Sequence, residues 1–181
     1  MGDQAEKIMG DQKEVAREIH STLYSKRKDA QKNVIEKYFD VNAVFEDPLV
    51  SVQGHDKIIR QFILLATMFL NITPEVHSIT DTEEAGNHHI VCIDAFIKYR
   101  LPLKLLFIRH EIEVHTITRF EFNEQQKIVK HEDVWSLKDV LESLPIIEFI
   151  YSGFWRRCSG LITNQLVILV QETIKAWKHE L

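Results

Sequence analysis

Cysteine is nearly absent: the 181 residues contain two, Cys92 and Cys158. They form no CxxC pair and no zinc-type spacing, which excludes a disulfide framework and points to a reducing, cytoplasmic setting. Four prolines and six glycines are too few for collagen-like or low-complexity material. Positive charge is also short, 22 Lys and Arg against 27 Asp and Glu, for a net charge of −5. Such a chain binds nucleic acid poorly unless its basic groups cluster, so no nucleic-acid partner is expected. No apolar run approaches the roughly 20 residues of a membrane span. The densest, residues 166–170, is closed off by Asn164, Gln165, Gln171 and Glu172. The start, MGDQAEKIMGDQKE, has no apolar stretch of signal-peptide type, and residues 1–11 are expected to be a disordered leader. No HxH or HExxH occurs, and adjacent residues such as His88 and His89 point to opposite faces of a strand. Neither a metal nor another cofactor is called for.

What is present, 45% hydrophobic and 27% charged residues, suits one globular domain with a sizeable core. Val15, Ile19 and Leu23 recur at steps of four, which predicts an amphipathic helix over 11–26. A second helix is expected over 29–39, with Asp29 as its N-cap, and a third over 56–70 after Gly54. Asp47-Pro48 separates two short strand-like runs, 43–45 and 49–52. From Pro74 the period changes to two. Strands are expected from Val76, over 88–99, over 108–122 and over 128–136, the last two joined by a turn at 123–127. Residues 101–107 are an apolar interruption, and 137–181 are helical again. Three helices, a four-strand antiparallel meander and closing helices describe an α+β fold in one domain.

Two stretches carry a family resemblance. YFDVNAVFEDPLVSVQGHDKIIRQF (38–62) and ITRFEFNEQQKIVKHEDVWS (117–136) resemble the nuclear-transport-factor-two-like superfamily, especially its SnoaL-like and ketosteroid-isomerase-like members. The likeness covers roughly residues 12–140 and leaves 141–181 as a C-terminal helical segment. It implies a cone: a curved antiparallel sheet wrapped round the N-terminal helices, with a pocket at the open end that takes a small apolar or lipid-like molecule. Phe45, Phe62, Leu65, Phe96, Val114, Thr116 and Trp135 would bound that pocket. The fold also hosts isomerases, dehydratases, cyclases and plain adaptors.

The resemblance assigns chemistry residue by residue. Asp47 stands where isomerase-like members carry a base, and an Asp in an apolar pocket has a raised pKa suited to that task. The alternative is that Asp47-Pro48 only caps a turn. Counting back from Arg119-Phe120, the isomerases' hydrogen-bonding acid falls on Thr116, and their helical Tyr falls near Ile19 or His20, with Tyr24 one turn away. The isomerase pair itself is therefore absent. His131, Asp133 and Trp135 share one parity of the last strand, and a His–Asp pair facing inward could relay a proton beside Asp47. Glu111, Glu113, His115, Arg119 and Glu121 suit a solvated or dimer-forming outer face. Three functions remain open: a carrier of an apolar ligand, an isomerase, dehydratase or cyclase with Asp47 as base, and a homodimeric adaptor. The apolar runs 101–107 and 161–170, flanked by Lys98, Arg100, Lys104, Arg109, Arg156 and Arg157, suit a lid, a dimer element, peripheral membrane contact or extra core.

Overall fold

The structure is a computed structural model that describes residues 2–84, 88–102 and 111–143. The runs 103–107 and 161–170, with Lys104, Arg109, Arg156 and Arg157, lie outside the described residues. Two compact units divide at Leu137 and Lys138, against a boundary expected near 140. A short helix, α4 (Leu137–Ser143), begins at that division.

Helix α1 (Gly2–Leu23) includes the leader that was expected to be disordered. It buries Ala16, Ile19, His20 and Leu23, the stripe that a 3.6-residue period places on one face. Helix α2 (Lys28–Tyr38) buries Gln31, Val34 and Ile35. Gln31 Nε2 donates to the Leu23 and Ser25 carbonyls at 2.8 and 2.9 Å, so one side chain satisfies the end of α1 and fixes the α1–α2 corner. Helix α3 (His55–Met68) buries Ile58, Ile59, Phe62 and Ala66. Its N-cap is Gly54 at φ +92°, a conformation costly for any residue with a Cβ. The Gly54 amide donates to the Ala43 carbonyl at 2.9 Å, tying α3 to the first strand.

The strands are β1 (Phe39–Glu46), β2 (Ser51–Gln53), β3 (Asn71–Glu84), β4 (His88–Arg100), β5 (Glu111–Phe122) and β6 (Ile128–Trp135). They form one curved sheet of order β2-β1-β6-β5-β4-β3. The meander expected from the sequence is present over β3 to β6, but the sheet as a whole is mixed. The short strands before it join the same sheet, and β1 lies parallel to β6, with Phe45 opposite His131 and Glu46 opposite Glu132. Strand β3 begins earlier than the periodicity indicated, because Pro74 is tolerated on an edge strand.

Alternation decides which face is covered. Along β4 the residues His89, Val91, Ile93, Ala95 and Ile97 are buried; along β5, Ile112, Val114, Thr116, Thr118, Phe120 and Phe122. The opposite face carries the expected cross-strand charges. Arg119 meets Glu121 and Glu132, Lys130 meets Glu46 and Glu132, and Lys98 meets Glu75 and Glu113. Such exposed pairs add little each, so the sheet is held mainly by its buried face. Removing a fully buried ring there should be severe. Phe120→Ala should cost about 3–5 kcal/mol in chemical denaturation, whereas Ile117→Ser on the outer face should stay within about 1 kcal/mol.

Candidate functional site

A polar cluster interrupts the apolar core on the covered face of the sheet. Period-two alternation on β6 turns His131 and Asp133 inward, and both are buried. Thr118 reaches Asp133 from the neighbouring strand, because the two are register partners in the β5–β6 ladder. His20 and Tyr24, four residues apart, come from the last turns of α1 and share its buried face.

Asp133 is the centre. Its Oδ1 accepts from Thr118 Oγ1 at 2.6 Å and lies 3.2 Å from His131 Nε2; its Oδ2 accepts from the Tyr24 hydroxyl. Burial opposes ionisation of this carboxyl, but the His131 imidazole and the hydrogen bonds from His131, Thr118 and Tyr24 outweigh it and hold the pKa below the usual carboxylate range. Tyr24 responds in the opposite sense. Burial and the Asp133 charge push its pKa well above the ordinary tyrosine value, so it remains a donor. Tyr99, tilted against the Phe69 ring with centroids 4.8 Å apart, is likewise pushed up by burial and by the charges of Asp133 and Asp47.

An aromatic sleeve encloses His131. Phe62 lies nearly parallel to its ring with centroids 5.6 Å apart; Phe45 and Phe120 present edges at 4.9 and 4.7 Å, and Phe39 follows at 6.1 Å. With Nε2 turned toward Asp133, His131 Nδ1 has no partner among the described residues. His20 has none at either ring nitrogen, although it is fully buried 4.7 Å from the Tyr24 ring. Burial is the main cause that lowers its pKa to about 4, so His20 is neutral at physiological pH. These three imidazole nitrogens, without a partner among the described residues, are costly at roughly 1–3 kcal/mol each.

The expected site residues divide between two places. His131 and Asp133 come together as the shared parity indicated. Phe45 and Phe62 pack on them, Thr116 is buried one register step away on β5, and Val114 follows on the same face. Leu65 and Trp135 are half-buried. Phe96 lies elsewhere: its parity puts it on the opposite face, between the rings of His77 and His115 at 5.1 and 4.8 Å. Asp47 spends one oxygen on the turn, where Oδ1 accepts from the Leu49 and Val50 amides, both at 2.7 Å. Among the described residues it makes no hydrogen bond to His131 or Asp133. It instead lines an open groove of about 480 Å³ with Glu46, Pro48, Leu49, Val50, Ser51, Glu132, Asp133 and Val134. The groove opens where β1 leaves β6 after Glu46, and Asp133 borders both it and the buried cluster.

Thr118 and Tyr99 were missed as site residues, and His20 and Tyr24 were met only as the neighbourhood of the isomerases' helical Tyr. A signal existed for the helical pair, since His20 and Tyr24 are polar residues at positions i and i+4 on an otherwise apolar stripe. Nothing local distinguishes Thr118 from Thr116.

The SigF NTF2-like domain family matches residues 11–173. No curated protein matches the chain. Among solved structures, a hypothetical protein with a ketosteroid-isomerase-like fold from Catenulispora acidiphila, solved with trimethylamine, is 17% identical with a TM-score of 0.56. That match covers 72% of this chain and 91% of the other. The epoxide hydrolase/cyclase-like enzyme SalBIII of salinomycin pyran-ring formation is 18% identical over 72% and 94%, with a TM-score of 0.55. An epoxide hydrolase of the LEH-like type from M. tuberculosis is 12% identical over 77% and 96%, with a TM-score of 0.53. These likenesses establish the fold.

The neutral state of His20 generates a pH prediction. Its folded pKa is about 4 against 6.5 for the free group, so the unfolded chain takes up the proton first as pH falls. Stability is therefore full above about 6.5 and declines toward 4, by roughly 3 kcal/mol. Asp133, whose pKa is lowered, contributes stability of its own that is lost through protonation as pH falls below the ordinary carboxylate value of 3.8. Urea denaturation across this range should show the decline in the wild type and a flatter profile in His20→Gln.

Proposed function

Because the chain belongs to the SigF NTF2-like domain family, we propose that it binds a small, largely apolar molecule at the open end of its cone and moves a proton on it with Asp133. The carrying observation is the buried carboxylate. An ionised Asp133 with no Lys or Arg buried beside it among the described residues is an expensive core element, held by three hydrogen-bond donors. Its lowered pKa makes it a weak base at rest, and it would accept a proton from a bound molecule only once binding weakens one of these contacts. In that event the Tyr24 hydroxyl and Thr118 keep the carboxylate oriented, and His131 Nε2 shares its Oδ1.

The phenylalanines round His131 exclude water, which strengthens each of these electrostatic contacts. The groove beside Asp133 supplies an approach with apolar walls at Leu49, Val50 and Val134. Asp47 is the second carboxylate on this route, at the lip of the groove. The fold neighbours that bear epoxide hydrolase or cyclase names suggest a reaction class in which a carboxylate activates a hydroxyl or a water for ring closure or ring opening. An isomerisation next to a carbonyl would use the same base.

Native mass spectrometry of the gently purified full chain should show a retained neutral molecule of small mass. Proton transfer should be visible as deuterium exchange next to the carbonyl of 2-acetylnaphthalene in D2O. Asp133→Asn should slow it about 10²–10⁴-fold. Unchanged exchange in Asp133→Asn, with loss in Asp47→Asn, would move the base to Asp47.

A further inference from the structure

The corner where α3 passes into β3 carries a surface that neither the buried cluster nor the groove uses. Leu64, Met68 and Leu70 are 53%, 54% and 56% exposed, three large apolar side chains within seven positions. Leu64 and Met68, four apart, share the side of α3 turned away from its buried residues Ile58, Ile59, Phe62 and Ala66. Exposed leucines scattered singly are ordinary, whereas a group of them marks a contact surface.

Cations stand beside this group. The α1–α2 corner is held against the end of α3, because Lys26 Nζ donates to the Ala66 and Phe69 carbonyls. Exposed Arg27 and Lys28 follow at the same corner. On the other flank the Leu70 amide donates to the Arg100 carbonyl at 2.7 Å, which sets exposed Arg100 next to Leu70. Asp29, adjacent to Lys28, and Glu111, opposite Arg100, offset only part of this charge.

We infer that this corner docks on an anionic lipid surface, with Leu64, Met68 and Leu70 entering the headgroup boundary and Lys26, Arg27, Lys28 and Arg100 meeting the lipid charges. Charge contrast singles out this occupant. The chain carries −5 overall, so an anionic bilayer repels it in most orientations and attracts it where its cations gather. Long cationic side chains keep their charge among the headgroups while their stems lie along the apolar residues. A second copy fits less well, since a two-fold contact here would set cations against cations. The chain also leaves the sheet at Arg100 and re-enters it at the register partner Glu111. The ten residues between, LPLKLLFIRH, hold six large apolar side chains, two cations and no acid, the same chemistry in sequence.

Flotation of the full chain with vesicles tests this. The chain should float with phosphatidylcholine vesicles that contain about 30% phosphatidylserine, and not with phosphatidylcholine alone. Raising salt from about 0.1 to about 0.5 M should lower the bound fraction severalfold, because screening shortens the reach of the cations. Arg27→Glu with Lys28→Glu should weaken binding about 25-fold or more, at roughly fivefold for each cation lost. Joint replacement of Leu64, Met68 and Leu70 by Ser should weaken it about tenfold or more. Val41→Ser with Ile117→Ser, which removes exposed apolar side chains elsewhere, should leave it unchanged. All these side chains are exposed, so each variant should unfold close to the wild-type denaturant midpoint. Absence of wild-type flotation, or equal flotation without phosphatidylserine, would overturn the inference. So would binding that survives both corner variants, the result expected if another segment meets the lipid. A wild-type dimer in sedimentation velocity that the Leu64, Met68 and Leu70 replacement splits would give the surface to a second copy instead. The exchange assay for Asp133 is read without vesicles, so failure here leaves the binding reading standing.

Discussion

A negative charge inside an apolar core is the constraint on which the rest of this structure turns. Asp133 is buried, and a bare carboxylate there would be protonated or would unfold the domain. It stays ionised because three separate elements deliver donors to it: α1 through Tyr24, β5 through Thr118, and its own strand through His131. Displacement of α1 along its axis by one turn, or of the β5–β6 register by one residue, would remove a donor. The cluster therefore depends on the packing of helix against sheet.

The same constraint explains the aromatic content of the core. Phe39, Phe45, Phe62 and Phe120 contact the His131 ring from β1, α3 and β5. They anchor those elements and keep water from the ion. A core built of small aliphatic side chains would fill the volume without fixing the ring. The parallel pairing of β1 with β6 belongs to this arrangement, since it brings Phe45 opposite His131. The departure of β1 from β6 at Asp47-Pro48 then opens the groove that reaches Asp133.

Local rules account for much of what was legible in the sequence. The helices, the long strands, the turn at 123–127 and the inward parity of His131 and Asp133 all follow from hydrophobic period and turn chemistry over a few residues. The cone followed from the Glu-Asp-Pro and Arg-Phe-x-Phe stretches. Those rules failed where pairing is distant. The mixed character of the sheet depends on β1 meeting a strand some 85 positions later, and the early start of β3 on its being an edge. Phe96 was assigned to the hollow by its chemical type, although its own parity places it on the other face.

The amino-acid pattern alone determined that His131 and Asp133 face the core together, because alternation along a strand leaves no other choice. It also determined that His20 and Tyr24 share a helix face, because i and i+4 always do. Whether these two pairs meet was decided by the tertiary structure, since only the docking of α1 onto the sheet, against β3 and β4, sets a tyrosine against a carboxylate 109 positions away. The tertiary structure also showed that one oxygen of the acid before Pro48 is held by the backbone of its own turn, and that the deeper acid on β6 carries the buried charge.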